Sequence, residues 1–199
     1  MERKFAGYQN LFDSLYQNLD LKYGGYKGSP KFPFPSTTEF LLQYYYLIKD
    51  KRALDAATTT LTQMALGGIY DHVGGGFARY SIDSLWRIPH FEKMLYDNGQ
   101  LMSVYAHAYQ LTKNPFYETV IRETAGFLQR DFESPAGGYY SSVNADTKDG
   151  EGIFYTWSAA DFGKCIPPGS KGQSLSAYYN MTEDGNWKNN QNILFIDFQ

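Results

Sequence analysis

The most informative stretch of the sequence is GGIYDHVGGGFARYSIDSLWRIPHFEKMLYDNGQL, residues 67–101. It separates two segments with helical apolar spacing, and it combines glycines with two histidines, two arginines, one tryptophan and four acidic residues. A connection that only turned the chain would not need these side chains. Because binding and catalytic groups concentrate in loops held by rigid elements, we expect the functional site here.

Helical periodicity extends outward from this loop in both directions. The spacing of apolar residues predicts helices over 8–21, 36–48, 52–66, 94–112 and 115–128. Ser36 and Glu39 match a capping box, the pair Gly67-Gly68 ends the third helix, and Asn114-Pro115 starts the fifth. Residues 139–143 and 153–157 read as two short strands around a turn at Asp149-Gly150, and Ser158 is a cap for a further short helix.

A Gly-Gly-aromatic triplet recurs in the long connections. It occurs at Gly24-Gly25-Tyr26, Gly75-Gly76-Phe77 and Gly137-Gly138-Tyr139. Paired glycines allow positive φ angles and close backbone approach. Recurrence of one such unit predicts a repeat of helical hairpins whose glycine-aromatic loops gather at one end.

Composition limits the classes of function. The chain has 199 residues, taken here as one domain over 1–199, with a formal net charge of -3 and no basic run, which argues against nucleic acid as a partner. No apolar run is long enough to span a membrane, and the N-terminus lacks the apolar segment of a signal peptide. The lone Cys165 is typical of a reducing compartment. We therefore expect a cytoplasmic protein without membrane partners.

No motif for a cofactor or metal is present in the sequence. The spacing of a phosphate loop and the dinucleotide fingerprint are both missing. His72, His90 and His107 are not spaced as metal ligands. The sequence thus predicts no cofactor and no metal.

The histidines of the glycine-rich loop are candidates for acid–base chemistry. His90 follows Pro89 and is expected at a helix start, where the positive helix end favours the neutral, proton-accepting imidazole. His72 follows Asp71, and a nearby carboxylate can tune a general base. The structural alternative is that Asp71 caps a turn, His72 bonds a backbone carbonyl and the charges near His90 organise the loop.

Other side chains of the loop suit a sugar. Trp86 with Arg79 would hold a saccharide by stacking and paired hydrogen bonds, or Arg79 and Asp83 form an ion pair beside a packed Trp86. Tyr96 is expected one helical turn from Glu92, and Asp97 one turn from Lys93.

The predicted hairpin adds carboxylates. Asp146, Asp149, Glu151 and Tyr155 lie in or beside its turn. Paired carboxylates can serve glycoside hydrolysis or bind a cation, although a solvated turn is the simpler interpretation of all of them except Asp146.

Four strings carry a family resemblance: GGYKGSPKFP (24–33), GGGFARYSID (74–83), PHFEKMLYDNGQL (89–101) and GGYYSSVNADTKDGEGIFYTW (137–157). They resemble the YyaL-type family of thioredoxin-domain-containing proteins, which includes the spermatogenesis-associated relatives. The resemblance implies a mainly α fold, an incomplete α/α toroid similar to N-acylglucosamine 2-epimerase and six-hairpin glycosidases, with a small β-hairpin. The chain has no Cys-x-x-Cys pair and no thioredoxin-like domain, so no redox function is carried over.

The resemblance also implies carbohydrate binding or processing by an epimerase- or hydrolase-like site. The predicted catalytic residues are His90, His72 and Asp146, and the predicted substrate-binding residues are Arg79, Trp86, Tyr96, Asp97 and Tyr155. Ala78 and Asn144 stand where the family usually has His and Asp, which puts catalysis in doubt more than binding. The alternative is a non-catalytic, self-associating interaction module, and an open half-toroid with exposed apolar faces predicts a homo-oligomer.

Overall fold

A computed structural model describes residues 2–148, 150–166 and 169–197. The seven α-helices in this part of the chain are α1 (Glu2–Tyr16), α2 (Pro35–Ile48), α3 (Lys51–Leu66), α4 (Leu95–Thr112), α5 (Pro115–Phe127), α6 (Ala159–Cys165) and α7 (Ser170–Tyr178). A π-helical turn, Leu128–Phe132, continues α5, and two 3-10 turns occupy Ile153–Tyr155 and Lys188–Asn190. Two antiparallel pairs complete the fold, β1 (Lys93–Met94) with β2 (Ser142–Val143) and β3 (Asp146–Thr147) with β4 (Gly150–Glu151).

The helices α3 and α5 form where the sequence predicts them, and their caps explain why. Asp50 accepts a hydrogen bond from the Arg52 backbone N–H at the start of α3. Asn114 accepts one from the Phe116 N–H, and Pro115 occupies the first turn of α5. These side chains satisfy N–H groups that the helix itself leaves without partners.

The first two helices differ from the prediction. Helix α1 ends at Tyr16 rather than at residue 21, and Leu19 instead bridges to Tyr26 in the first glycine loop. The capping box at Ser36 is wrong, because Pro35 already lies in the first helical turn and no side chain caps α2. Proline fixes the φ angle that a helix start requires, so the helix begins one residue earlier.

The long loops lie together at one end, as the sequence predicts. Helices α2 and α3, and α4 and α5, are joined by tight two-residue connections, and α2 packs against α4. The first two long loops are linked by Lys31 N–H donating to the Ser81 carbonyl at 2.8 Å. The second and third are linked by the β1–β2 pairing, in which Lys93 opposes Val143.

The hairpin is smaller than predicted and differently paired. Residues 142–143 pair with β1 rather than with 153–157, and residues 153–155 form a 3-10 turn. The hairpin itself is β3–β4, and Asp149 lies outside the described residues. The aromatic and β-branched residues of 153–157 favour a strand, but Gly152, with a φ of 74°, leads into a 3-10 turn instead.

One main core joins α1 to α5. Its largest fully buried members are Trp86, Tyr105, Tyr117, Phe12 and Phe77. Two smaller clusters, centred on Phe91 and on Phe127, lie beneath the loops and support the cleft described below.

Candidate functional site

The first glycine loop is closed by a buried ion pair. Asp20 Oδ1 accepts hydrogen bonds from the N–H groups of Lys22 and Tyr23. Asp20 Oδ2 accepts one from Lys31 Nζ at 2.7 Å, and the same ammonium donates to the Gly24 carbonyl at 2.7 Å. The carboxylate thus holds the turn while the lysine ties it to the next segment.

The second glycine loop repeats this arrangement. Asp71 Oδ1 accepts from the N–H groups of Val73 and Gly74, and Asp71 Oδ2 accepts from Lys93 Nζ at 2.7 Å. Lys93 also donates to the Gly75 carbonyl at 2.8 Å. We call each carboxylate–lysine unit an Asp–Lys clamp, and the two clamps show that the first two loops are copies of one module.

The second clamp lies at the base of a cleft of about 750 Å³ at the loop end of the helices. We call it the loop-end cleft. It is lined by three aromatic residues that follow the β3–β4 hairpin in the sequence, Phe154, Tyr155 and Trp157. Polar side chains that line it include Arg130, Asp131, Asn144 and Thr147. An adjoining recess is lined by Tyr70, His72, Ala78, Pro89 and Phe91.

Burial and ion pairing act in opposite directions on the two charges of the clamp. Burial opposes ionisation of Asp71, but the Lys93 ammonium and the N–H groups of Gly74 and Val73 outweigh it and hold the pKa of Asp71 below its ordinary 3.8. Burial lowers the pKa of Lys93 below its ordinary 10.5, and the Asp71 carboxylate opposes that shift. The Lys93 ammonium lies 4.8 Å from the centre of the Tyr155 ring, whose burial raises its pKa to about 12. Tyr155 therefore remains a neutral phenol facing the cleft.

His72 has the structural role that the sequence left open. Its Nε2 donates to the Gly67 carbonyl at 3.1 Å. The Asp71 carboxylate accepts the Gly74 N–H and caps the turn instead of bonding the imidazole. Burial lowers the pKa of His72 below its ordinary 6.5, so the ring is neutral at pH 7. His72 still lines the recess of the cleft, where a neutral imidazole can accept a proton.

His90 is not among the residues that line the cleft or its recess. Helix α4 begins only at Leu95, so the predicted position of His90 at a helix start is wrong. Residues 90–92 form a tight turn, in which the Glu92 N–H donates to the His90 carbonyl at 2.9 Å and Phe91 has a φ of 65°, and this turn separates the His90 side chain from those of Phe91 and Lys93. Phe91 and Lys93 thus face the cleft, while His90 stacks on Tyr80 with ring centres 4.6 Å apart.

A second polar cluster forms around His90. His90 Nδ1 lies 3.8 Å from Glu92 Oε2, and the Arg79 N–H donates to the Glu92 carbonyl. Burial raises the pKa of Asp97 to about 6, and the charge of Arg79 opposes this shift. Within the described part of the chain, Asp97 Oδ2 is buried without a hydrogen-bond partner.

The predicted pairing along α4 is wrong because Glu92 and Lys93 precede the helix. Lys93 pairs with Asp71 instead of sharing a face with Asp97. Tyr96 is exposed at the start of α4 and is not among the residues lining the loop-end cleft. The structure therefore divides the predicted site into two separate groups.

Asp97 gives a prediction about stability and pH. Its folded-state pKa is raised, so between about pH 4 and pH 6 the folded chain binds more protons than the unfolded chain, and stability falls as pH rises through that range. After discounting for its partial exposure, we expect Asp97→Asn to raise the free energy of unfolding by about 1–2 kcal/mol at pH 7.5 and not at pH 4. Urea denaturation at both pH values, with Asp55→Asn on the exposed face of α3 as control, measures this. An increment that is equal at the two pH values would contradict it.

Trp86 is a core residue, which corrects its predicted role in sugar stacking. Its side chain is fully buried, and Nε1 donates to the Tyr23 carbonyl at 2.7 Å. A Cβ on Gly25 would lie 2.6 Å from the indole, so this glycine leaves room for the ring. Asp83 accepts from the N–H groups of Leu85 and Ile88 and from the Ser81 hydroxyl, so it organises the loop around Trp86 and is not paired with Arg79.

Only some of the residues in the hairpin region line the cleft or its recess. Asp146 is exposed and opposes Glu151 across the β3–β4 pair. Ala78 lines the recess and Asn144 lines the cleft, so both positions at which the resemblance expects an ionisable residue face the same space. Among the described residues, no group of three or more His, Cys, Asp or Glu side chains is arranged to hold a metal ion.

Sequence reasoning missed several cleft residues. Arg130, Asp131, Phe154 and Trp157 were not singled out, and Lys93 was assigned to the wrong partner. The clamp had a visible signal, because Asp-x-x-x-Gly-Gly-aromatic occurs both at 20–26 and at 71–77. No sequence pattern indicated the π-helical turn that carries Arg130 and Asp131.

Comparison with known proteins adds to this geometry. The chain is 39% identical to spermatogenesis-associated protein 20 of Mus musculus over 198 residues, which cover 90% of this chain and 25% of that protein. This chain is similar to spermatogenesis-associated protein 20. The protein of the same name from Homo sapiens is 39% identical over 193 residues, covering 88% of this chain and 25% of that protein. The chain spans about a quarter of the length of these relatives. No protein-family model matches it. The resemblance to thioredoxin-domain-containing proteins therefore stays a prediction.

Solved structures share the fold. Cellobiose 2-epimerase from Bacillus thermoamylovorans superimposes with a TM-score of 0.61 at 14% identity, covering 72% of this chain and 42% of that chain. A family 76 glycoside hydrolase from Bacteroides thetaiotaomicron gives a TM-score of 0.58 at 19% identity, covering 73% and 33%. The predicted fold class, a mainly α, incomplete α/α toroid with a small β-hairpin, is confirmed. None of the described helices has the length and apolar character needed to cross a membrane.

Proposed function

We propose that the loop-end cleft binds a carbohydrate. The observation that carries this proposal is the combination of aromatic and polar side chains in one concave space above the second Asp–Lys clamp. Phe154 is 75% exposed at the rim, and Tyr155 and Trp157 continue the aromatic surface inward. Aromatic faces pack against the apolar faces of sugar rings, and polar groups beside them fix orientation. The shared fold with sugar epimerases and glycoside hydrolases supports the same proposal.

The ionisable groups of the cleft favour binding over turnover. Asp71 and Lys93 are committed to each other and to backbone groups, which leaves neither available for proton transfer. Of the three predicted catalytic residues, His72 lines the cleft, His90 faces away and Asp146 is exposed. An epimerase- or hydrolase-like reaction in this cleft would therefore use the neutral His72 as its proton acceptor.

Phe154 is the residue that tests binding. We expect Phe154→Ala to weaken the binding of a neutral mono- or disaccharide about tenfold, which corresponds to about 1.4 kcal/mol, because the exposed ring loses its stacking contact. Isothermal titration calorimetry of the wild-type chain against glucose, mannose and cellobiose measures this. Tyr8→Ala, which removes an exposed ring from α1, far from the cleft-lining residues in sequence, is the control and is expected to leave saccharide binding unchanged. Equal loss in both variants, or no saccharide binding by the wild type, would refute the proposal.

A self-associating module is the second candidate function, and one surface favours it. Tyr46 and Leu47 on α2 are more than half exposed, beside a groove of about 570 Å³ between α2 and α4. The His107 imidazole and the Glu39 carboxylate, 2.8 Å apart, cross this groove. Exposed apolar surface of this kind is typical of an interface, so the predicted homo-oligomer would form here. Sedimentation velocity over a range of concentrations decides, since a monomer at high micromolar concentration excludes this candidate.

A further inference from the structure

The charges of the loop-end cleft are neutralised within the protein. Four charged side chains line the cleft in the described part of the chain, and they form two ion pairs. Asp71 and Lys93 are 2.7 Å apart, and Arg130 and Asp131 are 2.5 Å apart. The sum of their charges is zero, and no cation among them lacks an anion.

Both cations are also occupied by further contacts. The Lys93 side chain is 3% exposed, donates to the Gly75 carbonyl and lies 4.3 Å from the centre of the Phe127 ring. Arg130 binds Asp131 through two of its nitrogens and donates to the Gly74 carbonyl at 2.8 Å. An anionic ligand would have to displace these partners to reach Lys93, and it would have to share Arg130 with the Asp131 carboxylate.

The rim of the cleft disfavours anions too. Asn144 and Thr147 carry the cleft wall into the β3–β4 hairpin, where Asp146 and Glu151 oppose each other and are exposed. Like charges directly opposite each other on paired strands repel each other, and both repel an approaching anion. Lys148 offsets one of the two charges, so the described hairpin keeps a net negative charge.

From these contacts we propose that the loop-end cleft selects uncharged saccharides and rejects those that carry a phosphate, sulfate or carboxylate. The proposal rests on the proposed carbohydrate function and names its substrate class. An anion above these two ion pairs loses hydration, while Lys93 is closed to it and Arg130 is already paired with Asp131, so the lost hydration is poorly compensated. Sugar hydroxyls need no such partner, because Asn144 and the Trp157 indole offer neutral hydrogen-bonding groups.

Matched sugar pairs test this selection. Titration calorimetry at low ionic strength compares mannose with mannose 6-phosphate, and glucose with glucose 6-phosphate and glucuronate. We expect each neutral sugar to bind at least tenfold more tightly than its charged counterparts. Equal or tighter binding of the charged sugars would overturn the selection and leave carbohydrate binding intact. Absence of binding by every sugar would overturn both proposals.

A substitution in the cleft tests whether ion pairing is the cause of this selection. Asp131→Asn removes the anion that occupies Arg130, and the residue is exposed, so the chain is expected to fold. We expect it to bind the 6-phosphates at least fivefold more tightly than the wild type does, with the gain lost in 0.5 M salt because screening weakens an exposed charge contact. Unchanged phosphate affinity in a folded variant, checked by circular dichroism, would show that ion pairing in the cleft does not set the selection.

Discussion

Replacing Asp71 with asparagine is expected to lower the free energy of unfolding by about 3–5 kcal/mol at pH 7. The substitution keeps a side chain that can cap the turn at Val73 and Gly74, but it removes the anion that faces Lys93. The ammonium would then lie buried without its counter-charge, and that loss exceeds the small net value of an exposed ion pair. Urea denaturation followed by tryptophan fluorescence measures the change.

The pH dependence of this variant has a definite sign. Burial lowers the pKa of Lys93, so the unfolded chain binds more protons than the folded chain just below pH 10.5, and stability rises with pH through that range. We therefore expect Asp71→Asn to regain part of its stability between pH 7 and pH 10. The control is Asp161→Asn, which breaks the exposed Asp161–Lys164 pair and is expected to destabilise the chain far less than Asp71→Asn does. Equal losses in the two variants would mean that the clamp does not behave as a buried pair.

Replacing Trp86 with alanine is expected to destabilise the fold by about 3–5 kcal/mol. The variant loses a fully buried indole, the hydrogen bond to the Tyr23 carbonyl and the ring that lies 5.6 Å from Lys31 Nζ. It also leaves a cavity between the first two glycine loops, because the backbone at Gly25 lies against that ring. Thermal and urea denaturation measure the loss.

Phe154→Ala is the opposite case and serves as the comparison. Its ring is mostly exposed, so its removal is expected to change stability by less than 0.5 kcal/mol while it weakens saccharide binding. A Trp86→Ala chain with wild-type stability and lost sugar binding would restore the sugar-stacking role that the sequence suggested. The two variants together separate a core tryptophan from a rim aromatic.

Local physics explains the predictions that were correct. Asn114 caps α5 because its short side chain reaches the Phe116 N–H two residues on, and Ser158 caps α6 through the Asp161 N–H three residues on. The paired glycines at 75–76 take positive φ angles, and a Cβ on Gly76 would collide with Phe127. Such effects depend on neighbours in the chain, so they can be recognised without a structure.

The loop-end cleft depends on contacts that no local pattern encodes. Asp71 and Lys93 are 22 residues apart, and Tyr155 comes from the hairpin region far along the chain. Local sequence patterns were sufficient for α3, α4 and α5, for the caps at Asn114 and Ser158, for the glycine loops and for the toroid resemblance. The tertiary structure alone decided that Trp86 is buried, that His90 faces away and that Lys93 faces inward. The physical reason is that the side-chain directions in residues 89–93 depend on a tight turn at Phe91 and on packing of Lys93 against Phe127 and Tyr155, which are distant in the sequence.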